Sequence, residues 1–176
     1  TKAKGVDDLI DGYAASHARE RVPLVIAGTG PEAPALRARA AASSCADRIV
    51  FFDDVDDDEK TFLMAGSTAY VLASKPRPEF VETFGIALVE KMLAGGGPVI
   101  TTATGGIPEA VGDHALIVPV ADPMSIAQAL DDAIMRTSPA ERAQRAAAAR
   151  EFAMQFDRIN VFDRLFARVD PTTAAA

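Results

Sequence analysis

Five short runs rich in β-branched and apolar residues punctuate the chain, at 22–27, 48–52, 68–72, 98–101 and 115–118. Segments with helical periodicity separate them: 6–17, 31–43, 57–65, a stretch entered near Phe84 and running to Ala94, and 107–111. Three further helical segments follow, at 125–135, 139–151 and 158–169. Strands alternating with helices require right-handed crossovers, so this order constrains the chain to an α/β fold: a parallel sheet with helices on both faces. Local signals agree. Pro31 and Pro139 suit a first helical turn, and Ser138 is placed to cap the helix that Pro139 opens. There is no internal repeat, low-complexity block or linker, and the run 146–149 is helix-forming alanine. The 176 residues are expected to form one domain over 1–170, ending in a frayed tail at 171–176.

Charge and composition exclude several functions. A net charge of -7 disfavours non-specific nucleic-acid binding, so any anionic ligand must be held by local donors. The single cysteine, Cys45, excludes an intrachain disulfide, fits a reducing compartment and reads as a core residue. No run is long and apolar enough to span a bilayer, and no signal peptide is visible.

In an open parallel sheet, ligands bind at the carboxyl ends of the strands. That rule brings distant residues to one crevice. The turn with Gly28 and Gly30 follows the first run, and Asp53, Asp54 and Val55 follow the second. The loop carrying Lys75, Arg77, Glu79 and Glu82 follows the third, and Gly105-Gly106 the fourth. A helix start near Phe84-Gly85 adds free N–H groups and positive dipole charge, for which phosphate is a natural occupant.

The segment from Glu82 to Glu90 holds two carboxylates separated by seven uncharged residues. Glu90 sits among Ile86, Val89 and Leu93 on an apolar helix face, where a carboxylate is costly unless its oxygens are satisfied. Eight helical steps span roughly 12 Å, beyond the roughly 5–9.5 Å that hydrolytic carboxylate pairs need. The two glutamates therefore suit different parts of one long ligand, with phosphate at the helix start between them and a ribose diol on Glu90. A buried structural carboxylate is the alternative.

The other polar clusters read as structure. Gly28-Thr29-Gly30 lacks the third glycine of a dinucleotide fingerprint. The acidic run from Asp53 to Glu59 suits a solvated helix N-terminus and lacks the calcium-loop pattern. His17 and His114 have no second ligand at metal spacing. Lys75 and Arg77 are either solvated loop charges or phosphate and sugar contacts.

Taken together, these segments resemble the donor-binding half of retaining glycosyltransferases of the GT-B fold, glycosyltransferase family 4. Glu82-Thr83-Phe84-Gly85 through Glu90 resembles the family's E-x7-E region, and Lys4-Gly5-Val6 its K-G helix start. The segments 24–32, 49–55, 105–109 and 121–123 are similar to its glycine turn, its V-x-F-x-G-x-V segment, its G-G-x-x-E turn and its D-P turn. The ordered set covers residues 4–135, and 158–169 suits the family's terminal helix. The resemblance implies a Rossmann-like domain that binds a UDP-, GDP- or ADP-sugar and transfers the sugar with retained anomeric configuration, without metal or other cofactor. It implies Glu82 and Lys4 as catalytic, with Lys4 neutralising the departing diphosphate. Glu90 would hold the ribose, the backbone at Phe84, Gly85 and Ile86 the diphosphate or sugar, and Val55 the base, while Gly28 and Gly30 line the site. The acceptor would be bound mainly by a missing N-terminal domain, in a cytoplasmic protein whose membrane association, if any, resides in that half.

Four departures stand out. The family's Gly-Arg and its strand would precede Thr1. Asp53 occupies a usual glycine position. Gly95-Gly96-Gly97 is one residue longer than the common pattern, and 75–81 lengthens the loop before Glu82. A nucleotide-sugar epimerase, a phosphorylase-like enzyme or a non-catalytic interaction domain could share the fold.

Overall fold

The computed structural model describes residues 2–157 and 159–161. Its elements run β1 (Leu24–Ala27), β2 (Ile49–Phe52), β3 (Tyr70–Leu72), β4 (Val99–Thr102) and β5 (Ala115–Val118). The helices are α1 (Val6–Ala15), α2 (Ala33–Ala41), α3 (Asp57–Gly66), α4 (Ile86–Ala94), α5 (Ile107–Val111), α6 (Pro123–Asp131) and α7 (Pro139–Ala153). The helix expected over 158–169 and the tail at 171–176 lie outside the described residues, apart from a helical stretch at 159–161.

All strand pairings are parallel. β1 pairs with β2, with Leu24 opposite Ile49. β3, β4 and β5 form a second ladder, with Val99 between Tyr70 and Ala115. The two ladders are not hydrogen-bonded to each other among the described residues. Strand β4 is buried along its whole length, as a central parallel strand must be. Its side chains alternate between two cores. Ile100 joins Leu9, Tyr13, Ile126 and Leu130 on the α1–α6 side. Val99 joins Leu88, Met92, Val111 and Ala153 on the α4–α7 side. Cys45 is buried in the first of these cores.

Several boundaries moved for identifiable reasons. The helix expected from Phe84 begins at Ile86, because its N-cap Gly85 sits at φ 84°, outside the helical region. The helix expected to run to Met135 is α-helical only to Asp131, then widens into a π turn over Asp132–Arg136. The acidic run does start a helix: Asp56 accepts from Glu59 N at 2.8 Å, and Glu59 accepts from Asp56 N at 3.1 Å. Ser138 and Glu141 form the same reciprocal cap on α7.

Candidate functional site

The fold joins Lys4 to Glu82 across 78 residues of sequence. The segment before α1 runs along the exit of β3, where Lys75 N donates to Ala3 O at 2.8 Å. Gly5 turns this segment at φ 65°, and a Cβ there would stand 1.9 Å from Ala73 O. From the other side, the turn after β4 supports the Glu82 loop. Gly106 N donates to Glu82 O at 2.9 Å, and a Cβ at Gly106 would stand 2.0 Å from Thr83 O. Gly105-Gly106, placed at the crevice from sequence, thus acts as a shelf for the backbone at 82–83.

Lys4 Nζ lies 2.5 Å from Glu82 Oε2. The glutamate side chain is 11% exposed and the lysine 39%, so the pair sits at a cleft wall with one open side. Phe80 lies under the ammonium, its ring centroid 5.0 Å from Nζ. The lengthened loop provides this contact. Arg77 and Phe80 exchange backbone hydrogen bonds at 2.8 and 3.1 Å, closing a tight turn that presents the ring.

Glu90 departs from its expected burial. Its side chain is 41% exposed, and Lys60 Nζ stands 3.4 Å from Oε1. Lys60 also reaches Asp57 at 3.1 Å. The hydrogen bond to Asp57 and then the charge of Glu90 raise the lysine's pKa. Helix α3 packs beside α4, so the open side of Glu90 faces a cation rather than an apolar wall. Tyr70 belongs to the same neighbourhood. Its phenol is pushed up to about 12, by burial first and then by the negative charge of Glu90. Lys60 and Tyr70 carried no motif signal, because each acts through a partner 20 or 30 positions away.

The start of α4 lies between the two glutamates. Phe84 turns its ring inward against Phe156, with centroids 5.1 Å apart, and so anchors the backbone there. Gly85 is buried, whereas the Ile86 side chain is 66% exposed. On the β1–β2 side, Gly28 N donates to Phe52 O at 2.8 Å. A side chain at Gly28 would meet nothing within 4 Å, and Gly30 lies in the same open turn. Val55 is half-buried in the turn between β2 and α3. Asp53 is held by Arg37, whose Nη2 lies 2.5 and 2.6 Å from its two oxygens, so the usual glycine position here serves an ion pair. A cavity of about 170 Å³ between Lys2, Asp7, Glu32 and Arg39 sets the β1 exit beside the segment carrying Lys4.

Lys75 does not face this cleft. Its ammonium is buried, 2.8 Å from Asp7 Oδ2 and 2.8 Å from Asp8 Oδ2. The Asp8 contact is close but poorly aligned for a hydrogen bond, so charge attraction is a large part of it. The loop is thereby pinned to α1, and the burial of Lys75 corrects the reading of it as a solvated loop charge, while its two aspartate partners occupy the ammonium that the alternative reading gave to phosphate or sugar. Among the described residues the buried Nε of Arg77 has no hydrogen-bond partner, nor do Ser74 Oγ and Thr104 Oγ1 at the ends of β3 and β4. Such groups are costly when unsatisfied and are available to a polar ligand. Among the described residues no group of three or more His, Cys, Asp or Glu could hold a metal ion, and no helix is long and apolar enough to cross a membrane.

Parallel strands flanked by helices, with a crevice at their carboxyl ends, are the architecture shared with GT-B glycosyltransferases. The chain belongs to the family described as glycosyl transferases group 1, whose model matches residues 1–152. It is 31% identical over 149 residues to the N-acetyl-alpha-D-glucosaminyl L-malate synthase of Bacillus anthracis, covering 81% of this chain and 37% of that protein. It thus spans little more than a third of that relative's length. Among solved structures, Anabaena HepE in complex with UDP-glucose superposes with a TM-score of 0.79 at 22% identity, over 96% of this chain and 45% of that one. A UDP-forming trehalose-phosphate synthase from Burkholderia xenovorans gives 0.75 at 16% identity, over 96% and 41%. These structural likenesses bear on the fold alone.

Proposed function

We propose that this chain is the donor-binding domain of a retaining glycosyltransferase of family 4, acting on a nucleoside-diphosphate sugar. The observation that carries the reading is the Lys4–Glu82 pair at 2.5 Å beside the start of α4. Helix N–H groups and an ammonium together suit a diphosphate. Entry of the diphosphate gives Lys4 a new anionic partner and frees Glu82 to accept hydroxyl hydrogen bonds from the sugar. Glu90, already half-exposed, exchanges Lys60 for a ribose diol. The open backbone at Gly28, Gly30 and Val55 takes the nucleoside side. Rate enhancement in this scheme comes from holding the donor and stabilising charge on the departing diphosphate, with Lys4 closest to that charge.

The acceptor is assigned to another part of a longer protein, consistent with the fraction of its relative that this chain spans. The reading also includes one more parallel strand, from sequence upstream of Thr1, between β1 and β3. Among the described residues each of these strands has one ladder partner, and residues beside both pack into one core. Melting curves with UDP-, GDP- and ADP-glucose test the proposal. At a hundred dissociation constants a ligand adds about 2.7 kcal/mol, so one of the three should raise Tm by several degrees. No rise with any donor, in this chain and in a version extended upstream, would contradict it.

A further inference from the structure

A second cavity, of about 210 Å³, lies at the opposite end of the sheet, where β4 and β5 begin. Pro98 and Ala149 contribute to its apolar wall, and the lining also includes three basic residues, Lys91, His114 and Arg145, together with Asp113. These residues come from the end of α4, the turn before β5 and the face of α7. None of them belongs to the cleft holding Lys4, Glu82 and Glu90.

The basic groups are short of partners in a chain whose net charge is -7. Lys91 is 1% exposed. Among the described residues its ammonium has a single hydrogen-bond acceptor, Gly95 O, at the end of its own helix. An ammonium has three protons to place, so burial with one acceptor is costly. Desolvation accordingly pulls its pKa down to about 8. Arg145 makes no hydrogen bond and no ion pair within 4 Å among the described residues, although Glu141 senses its charge. The His114 ring packs on Phe152 with centroids 4.8 Å apart, and among the described residues neither of its nitrogens makes a hydrogen bond. The glycine run makes room for the amine, since a Cβ at Gly96 would stand 2.9 Å from Lys91 Nζ.

We propose that this cavity is a binding site for a small organic anion, with a carboxylate or phosphate head between Lys91, Arg145 and His114 and an apolar body against Pro98 and Ala149. Occupation supplies acceptors that the buried ammonium lacks among the described residues, and gives Arg145 a direct anionic partner where Glu141 acts only at longer range. The volume suits a single ring and its head group rather than a nucleotide. Its place at the start of β4, the strand whose far end carries the Gly105-Gly106 shelf, makes it an effector site in position rather than a second donor site.

Benzoate and phenyl phosphate are suitable probes, one for each head group. Each is titrated against the 176-residue chain by NMR, following His114 and the amides at 95–98 and 113–116, with UDP present at saturation to occupy the other cleft. Saturable shifts confined to these residues are expected with at least one probe, and the better binder identifies the head group. Loss of a charge-assisted hydrogen bond should weaken binding about 10-fold in Arg145→Ala, and likewise in Lys91→Met. Arg150→Ala should bind as the parent does. The proposal is overturned if neither probe saturates, if Arg145→Ala binds undiminished, or if the shifts fall at 82–86. Because Arg145 is exposed, its variant stays folded and gives an answer even where Lys91→Met does not.

Discussion

Replacing Lys75 by Met separates a structural lysine from a substrate contact. The side chain of Lys75 is 8% exposed, and that of Asp8 is 11% exposed. Removing the cation leaves two carboxylates facing each other across the space it filled. Breaking a buried pair by deleting one partner costs about 3–5 kcal/mol. The Asp7 side chain, 35% exposed, can be rehydrated, which puts the expected loss near the lower bound, at about 3 kcal/mol. At roughly 2–4 °C per kcal/mol for a domain of this size, Tm should fall by about 6–12 °C. Urea unfolding followed by circular dichroism measures the loss directly. The pH dependence carries a second signature. Burial opposes ionisation of Asp7, but the hydrogen bond and charge of Lys75 outweigh it, so the carboxyl lies below its ordinary 3.8. Its contribution is therefore complete above pH 3.8 and disappears as pH falls through the native value. For Lys75, burial is outweighed by the two aspartates and the pKa is raised above 10.5. That contribution is complete below pH 10.5 and is lost as pH rises through the native value. Adding Asp7→Asn and Asp8→Asn to Lys75→Met should recover part of the stability. A loss under about 0.5 kcal/mol, or intact stability with a tenfold loss of donor affinity, would refute the structural assignment.

Three further outcomes are expected. Lys91→Met should lack a pH-dependent gain present in the parent: with a native pKa of about 8 against 10.5 unfolded, the parent gains about 2.5 kcal/mol between pH 7 and pH 10, and the difference between the two urea curves isolates it. Lys60→Ala should change stability by less than about 1 kcal/mol, since its pair with Glu90 is half-exposed, and denaturant midpoints would register anything larger. Gly106→Ala should cost about 1–3 kcal/mol, because the new methyl would stand 2.0 Å from Thr83 O; its Tm should fall together with donor affinity as the Glu82 loop is displaced.

The parallel architecture was legible because buried β-runs and helices alternate without ambiguity, and α5 and β5 were bounded as read. The start of α4 was misplaced by two residues because apolar periodicity extends through Phe84, whereas the left-handed backbone at Gly85 forbids helix there. The Glu82–Glu90 segment drew attention by its spacing, but the environment of Glu90 was misjudged. Lys60 arrives from the preceding helix, a contact that no local pattern encodes. Lys75 was read as a loop charge because loops are usually solvated. Its burial depends on Asp7 and Asp8, 68 and 67 positions earlier, facing the exit of β3. The pairing of Lys4 with Glu82 was implied by family resemblance as a shared site, and the direct contact emerges only from the packing of 2–5 against the loop after β3.

In the proposed function Glu90 is the ribose ligand beside a diphosphate held by Lys4 at the start of α4. Calorimetric titration with UDP-glucose, of the parent and of Glu90→Ala, tests it most directly, on the chain extended upstream if the shorter one binds too weakly to measure. Losing two hydrogen bonds from a charged acceptor should weaken binding by at least tenfold, with unfolding midpoints unchanged. Equal affinity in the two proteins would contradict the assignment.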